Sequence, residues 1–166
     1  MKNIILLSTL FFIINLQSQN KIKKIEFSSE GYASAPDYDL IIYCNKTAIF
    51  NARSDNYKNT PNGETVWYGT NTSGVNIRTS EVKGLFISRL DNKLYKKISN
   101  LILSLDEEFT EGKYIENNLH ASIGKLKVTY QNGEIRSIYD YGKKGTSRLI
   151  KLYTVFDDLR FNRKWE

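Results

Sequence analysis

The sequence predicts an α+β protein: an antiparallel sheet of about five to six strands with two helices packed on one face. Three observations carry this. Runs such as Tyr38–Tyr43 alternate with period two, and Leu149, Leu152, Tyr153, Phe156 and Leu159 recur at helical spacing. Asn132-Gly133 lies between alternating apolar residues, the strongest short-range hairpin signal, because a type I′ turn needs φ > 0 at both central positions.

Taken in order, Met1-Lys2-Asn3 gives a positive start. Ile4 to Leu16 is apolar apart from Ser8, Thr9 and Asn15, and a polar Gln17-Ser18-Gln19-Asn20 follows. That layout predicts a signal peptide over residues 1–18 and a secreted or periplasmic protein. The run is shorter than the roughly 20 residues of a spanning helix, so no membrane span is expected in the mature form. No cysteine lies near the expected cut, which disfavours a lipid-anchored precursor. The rest, 21–166, is expected to form one domain with its own core.

Ile22, Ile25 and Phe27 belong to a first expected strand, and Tyr38 to Tyr43 to a second. Asn45-Lys46 turns the chain into a returning strand, Thr47 to Ala52, through a looser turn, since Lys is poor at φ > 0. Residues 51–74 are polar and turn-rich, with Pro61-Asn62-Gly63, and read as a long loop or an added hairpin. Val82 to Leu90 reads as a further strand beginning around Gly84. Asp91 caps a helix with the stripe Leu94, Ile98, Leu101, Ile102 and Leu105. Asp106 to Asn118 is acidic and reads as an irregular crossover. In the last hairpin a two-residue loop would set Tyr130 against Ile135, Val128 against Ser137 and Leu126 against Tyr139, all six on the covered face. The final helix would run on to Arg163-Lys164-Trp165.

The formal net charge is +6 and falls to +5 once Lys2 is removed. The lysines are dispersed, and neither an aromatic RNA-binding signature nor a cysteine–histidine finger spacing is present, so no nucleic-acid partner is expected. The single cysteine, Cys44, cannot form an internal disulfide, and stability must come from the core. The single histidine, His120, precludes a multi-histidine metal site; no metal and no cofactor are expected.

Pro36-Asp37-Tyr38-Asp39-Leu40-Ile41-Ile42, together with Asp140-Tyr141-Gly142 through Leu149, Leu152 and Tyr153, resembles a family of bacterial exported domains of unknown function. That family occurs in small secreted proteins and lipoproteins and opens on Cys-x-x-x-Cys-Pro-x-Tyr. Gly31 and Ala35 occupy the cysteine positions here, while Tyr32, Pro36 and Tyr38 match. The resemblance spans Ile25 to Trp165. It implies the fold and the export, but no activity, and the missing cysteines carry over no redox, metal or disulfide role.

Tyr141-Gly142-Lys143-Lys144-Gly145-Thr146-Ser147 opens the last helix. Its free amides and two lysines suit an anion, although the Walker spacing is absent and a purely structural turn capped by Thr146 or Ser147 uses the same residues. Cys44, His120 and Asp140 form a conceivable nucleophile, base and orienter with no local signature. Asp106, Glu107 and Glu108, or Asp157-Asp158, read as solvated acids rather than a glycosidase pair. Tyr32, Tyr57, Trp67 and Tyr68 lie in polar, irregular stretches where rings can stack on sugars or anchor an interface. The candidate binding residues are therefore Tyr32, Trp67, Tyr68, Lys143 and Lys144. They point to an exported, non-enzymatic interaction module with an envelope protein or surface glycan as partner. A small envelope hydrolase and an inhibitor or immunity-type protein are the alternatives.

Overall fold

The computed structural model describes residues 21–31, 37–57, 81–117 and 119–159. The expected leader, Tyr32, Trp67, Tyr68 and the helix end at 163–165 lie outside the described residues. Seven strands and three helices are described: β1 (Ile22–Glu30), β2 (Tyr38–Tyr43), β3 (Thr47–Tyr57), β4 (Glu81–Arg89), α1 (Asn92–Leu103), α2 (Asp106–Glu111), β5 (Lys113–Ile115), β6 (Ile123–Tyr130), β7 (Ile135–Tyr141) and α3 (Ser147–Leu159). One sheet contains all seven strands in the order β4-β3-β2-β1-β6-β7-β5. The class is α+β, as expected. The sheet is mixed rather than antiparallel, because β5 runs parallel to β7.

The acidic stretch expected as an irregular crossover holds both missing elements, α2 and β5. Asp106, Glu107 and Glu108 occupy the first turn of α2, where carboxylates meet the positive end of the helix dipole. Gly112 ends the helix at φ 68, and its carbonyl accepts from the Tyr139 amide, which starts the parallel pairing. Such a short helix has no periodicity to detect in the sequence.

Both hairpin turns use three-residue loops of one design. In Cys44-Asn45-Lys46 and Gln131-Asn132-Gly133, the central Asn accepts the amide two residues on, that of Thr47 or Glu134. The third residue takes positive φ, 71 at Lys46 and 88 at Gly133. A three-residue loop shifts the register of β6 and β7 by one from the two-residue expectation. Leu126 pairs with Ile138 and Val128 with Arg136. Because side chains alternate, that slip moves a whole strand to the other face. Ile138 and Asp140 are buried, whereas Ile135 is 57 % exposed and Tyr139 stands on the uncovered face. Arg136, which a two-residue loop would turn to the uncovered face, stacks over Tyr130 at 5.5 Å and reaches Asp106 at 2.7 Å.

The covered face collects Ile25, Phe27, Tyr38, Leu40, Ile42, Phe50, Leu126 and Val128 beneath α1 and α3. A bulge near Lys23 lets Ile22 and Ile25, three apart, both point inward. Asp91 caps α1 by accepting from the Leu94 amide at 2.8 Å, and Thr146 Oγ1 accepts from the Leu149 amide at the start of α3. Phe27 joins the layers, its ring 4.9 Å from Phe156, 5.3 Å from Tyr153 and 5.9 Å from Tyr38.

Ile138→Ala should lower unfolding stability in urea by about 2–5 kcal/mol, while Tyr139→Ala lowers it by no more than about 1 kcal/mol. The reverse order would restore the two-residue register.

Candidate functional site

The glycine-rich loop before α3 does hold an anion, but one belonging to the chain itself. Asp140, at 1 % exposure, accepts the Gly145 amide at 3.0 Å. Gly145 is needed there because a Cβ would sit 2.5 Å from the Tyr114 ring. The Tyr153 hydroxyl faces Asp140 from α3 and falls short of hydrogen-bond geometry. Burial first, then the Asp140 charge, pushes the Tyr153 pKa far above the usual tyrosine range. Burial is likewise the main cause of the raised pKa values of Tyr95, Tyr114 and Tyr130.

Lys143 and Lys144 both pair with carboxylates of the chain. Lys143 bends inward at φ 56, its side chain only 11 % exposed. Its ammonium meets Asp157 at 3.2 Å and Ser29 Oγ at 3.1 Å and lies over the Phe27 and Tyr153 rings. Asp157 also accepts from the Tyr38 hydroxyl at 2.6 Å, so this aspartate ties β2, the loop and α3 together. Lys144 pairs with Glu116 at 3.1 Å. Two lysines adjacent in sequence thus serve two different contacts and do not converge on one exposed ligand.

The other candidates separate as well. The Cys44 amide bonds to the Lys23 carbonyl at one end of β1, while Asp140 pairs through Gly124 with Ser29 near the other end. Six residue steps along the strand, about 20 Å, separate them, so Cys44, His120 and Asp140 form no triad. Asp106 pairs with Arg136, and Glu107 with Arg148. Glu108 is buried between Thr146 Oγ1 at 2.9 Å and Arg148 at 3.3 Å. These acids latch α2 to β7 and α3. Among the described residues no group of three or more His, Cys, Asp or Glu is placed to hold a metal ion. No described helix is long and apolar enough to cross a membrane.

The sheet face away from the helices carries a different feature. Its curvature forms a trough of about 620 Å³ that crosses the strands from Leu85 on β4 to Tyr139 on β7. Five strand spacings make it about 24 Å long. Leu85, Ile49 and Ile41 form its apolar end, with Leu85 65 % exposed. Asn51 and Asp39 lie alongside them on β3 and β2, Ser28 and Glu26 follow on β1, and Lys125, Lys127, Ser137 and Tyr139 close the far end. Arg53 clamps the rim beside Asp39, bonding Asp37 at 2.8 Å, Asp39 at 2.5 Å and Ser28 Oγ at 3.0 Å. A volume of this size suits a small-molecule or peptide site. None of these trough residues stood among the sequence candidates. The available signal was that β2 and β3 carry apolar residues at both parities, Ile41 beside Leu40 and Ile42, and Ile49 beside Ala48 and Phe50. A sheet covered on one side needs only one parity.

Comparison with known proteins finds no curated protein and no solved structure that matches the chain. The model of one family, described as a domain of unknown function, matches residues 23–160.

Lys143→Met leaves Asp157 without its ammonium and should cost about 1.5–3 kcal/mol in urea denaturation, against under about 1 kcal/mol for Lys144→Ala. Millimolar phosphate should leave the amide resonances of residues 142–149 in place, since Asp140 already holds the Gly145 amide. Tyr153 keeps its proton in the folded chain above the ordinary tyrosine pKa of about 10, so the folded state binds more protons there than the unfolded one. Stability should then fall as pH rises beyond about 10, by up to about 1.4 kcal/mol per pH unit for this group. Tyr153→Phe should flatten that fall when urea midpoints are compared across the alkaline range.

Proposed function

The chain belongs to that family, DUF6438, which assigns no activity, and from this premise we propose that it is an exported, non-enzymatic binding module whose ligand lies in the trough of the uncovered sheet face. One observation carries the proposal: the apolar side chains Leu85, Ile49 and Ile41 line a concave surface beside charged and hydroxyl-bearing ones. Helices already cover the opposite face, so the sheet does not need these residues for its core. Apolar groups in a concavity, with a few polar groups to fix orientation, are the usual make-up of a ligand site. The signal-peptide-like layout of residues 1–18 supports export, and with it a ligand among components of the cell envelope. The polar groups that resemble catalytic ones are engaged elsewhere. Asp140 and Glu108 are buried in structural contacts, and Lys143 pairs with Asp157.

A chemical-shift screen of the full chain against panels of amphiphiles, short peptides and oligosaccharides tests this. Perturbations should gather at Ile41, Ile49, Leu85, Lys127 and Tyr139 and spare α1 and α3. Hits confined to the helical side would overturn the assignment. Turnover of an ester, peptide or glycoside that His120→Ala abolishes would make the protein a hydrolase instead.

A further inference from the structure

Among the described residues β4 forms one edge of the sheet, and β5, three residues long, forms the other. The Leu90 amide donates to the Lys46 carbonyl at 2.9 Å, so the hydrogen-bonded pairs of this antiparallel ladder are Ser88 with Ala48 and Phe86 with Phe50. The amides and carbonyls of Leu85 and Ile87 therefore point away from β3. We infer that these groups pair with β4 of a second copy of the chain, antiparallel about a twofold axis at Phe86, so that one sheet runs through both copies. This goes beyond the trough ligand and does not depend on it.

Apolar rows on both faces of the sheet stop at this edge. On the covered face, directly opposed residues run from Ile138 through Leu126, Phe27, Leu40 and Phe50 to Phe86. The Phe86 ring lies 6.3 Å from that of Phe50 and is only partly buried, because no described strand flanks its other side. On the uncovered face Ile41 opposes Ile49 and Ile49 opposes Ile87, which ends the row 48 % exposed beside Leu85 at 65 %. Opposed apolar side chains are what stabilise adjacent strands, so each row calls for one more apolar strand.

Self-pairing supplies that strand in one register. Gly84, at φ 111, bends β4 and limits its straight part to Leu85–Arg89. With Leu85 opposite itself, Phe86 would meet Gly84 at the bend; with Ile87 opposite itself, Leu85 would meet Arg89. With Phe86 opposite itself, Leu85 meets Ile87 of the second copy on both sides of the axis. Each of those pairs exchanges both ladder hydrogen bonds, and the Phe86 rings meet at the closer, non-bonded spacing. Every contact is then apolar against apolar.

Residues 84–88 contain neither a charge nor a proline, the usual guards of an exposed edge. A twofold pair uses the edge once and closes, whereas the short β5 offers no matching edge for open-ended growth. The contact is short, which makes the dimer a transient one.

Sedimentation equilibrium of the full chain from about 10 µM to 1 mM tests this and should show reversible dimerisation. Ile87→Lys should weaken the dimer about tenfold, and Ile87→Pro, which removes an outward amide but no bond to β3, should do the same. Unchanged urea midpoints at the lowest concentration separate lost pairing from lost folding. Hydrogen exchange of the unsubstituted chain decides independently of any variant: the Leu85 and Ile87 amides should slow as concentration rises, while those of Phe86 and Ser88, already bonded to β3, should not change. A monomer at every concentration overturns the inference. So does a dimer that keeps those two amides fast or survives Ile87→Lys, since it packs through another surface. Protection of the two amides by an added peptide, in a chain that stays monomeric, overturns it in favour of a peptide partner.

Discussion

Phe27 is the contact on which the fold turns. It sits at the middle of the central strand β1, and its ring touches Tyr38 on β2 and Tyr153 and Phe156 on α3, while the Lys143 ammonium lies over it at 5.6 Å. Sheet, helix and glycine loop therefore meet at one side chain. Stacked and tilted ring contacts of this kind add to the burial energy and fix relative orientation. That orientation aims α3 so that Asp157 reaches both Tyr38 and Lys143 and so that Tyr153 comes to face Asp140.

Around this node the chain satisfies its polar groups internally. A glycine loop at a helix start with two lysines has the chemistry of an anion site, and here the anions are Asp140, Asp157 and Glu116. An internal carboxylate is tethered at high effective concentration and pays no association entropy, so it outcompetes a dilute external anion. The same holds for α2, whose acids lie against Arg136 and Arg148. Features that look functional in isolation are thus absorbed into holding a short helix, a short parallel strand and a loop against the sheet.

Spare chemistry lies on the other face. Two layers suffice to bury the inward parity of each strand, and the outward parity is free to vary. On β2, β3 and β4 it mixes apolar Ile41, Ile49, Leu85 and Ile87 with Asp39, Asn51 and Arg53, and on β1 and β6 it is mostly charged. Charge pairs along and between strands, Lys24 with Glu26 on β1 and Lys125 of β6 with Glu30 of β1, keep the polar half soluble.

Local pattern determined much on its own: the α+β class, the strands at 38–43 and 82–90, the Asp91 cap, and both long helical stripes, because alternation, caps and 3.6-residue spacing act within a few residues. Register, by contrast, turned on one residue. Asn132-Gly133 is compatible with a two- or a three-residue loop, and only docking against α1 and α3, which needs Ile138 inside, selects the second. The short α2 and β5 were illegible because six and three residues carry no period, and both persist through Arg136, Thr146, Arg148 and the Tyr139 amide. The fates of Lys143 and Lys144, and the trough itself, depend on which distant strands become neighbours. Sequence order does not encode that β1 lies beside β6, which brings β4 and β7 into one sheet, and tertiary structure alone decides it.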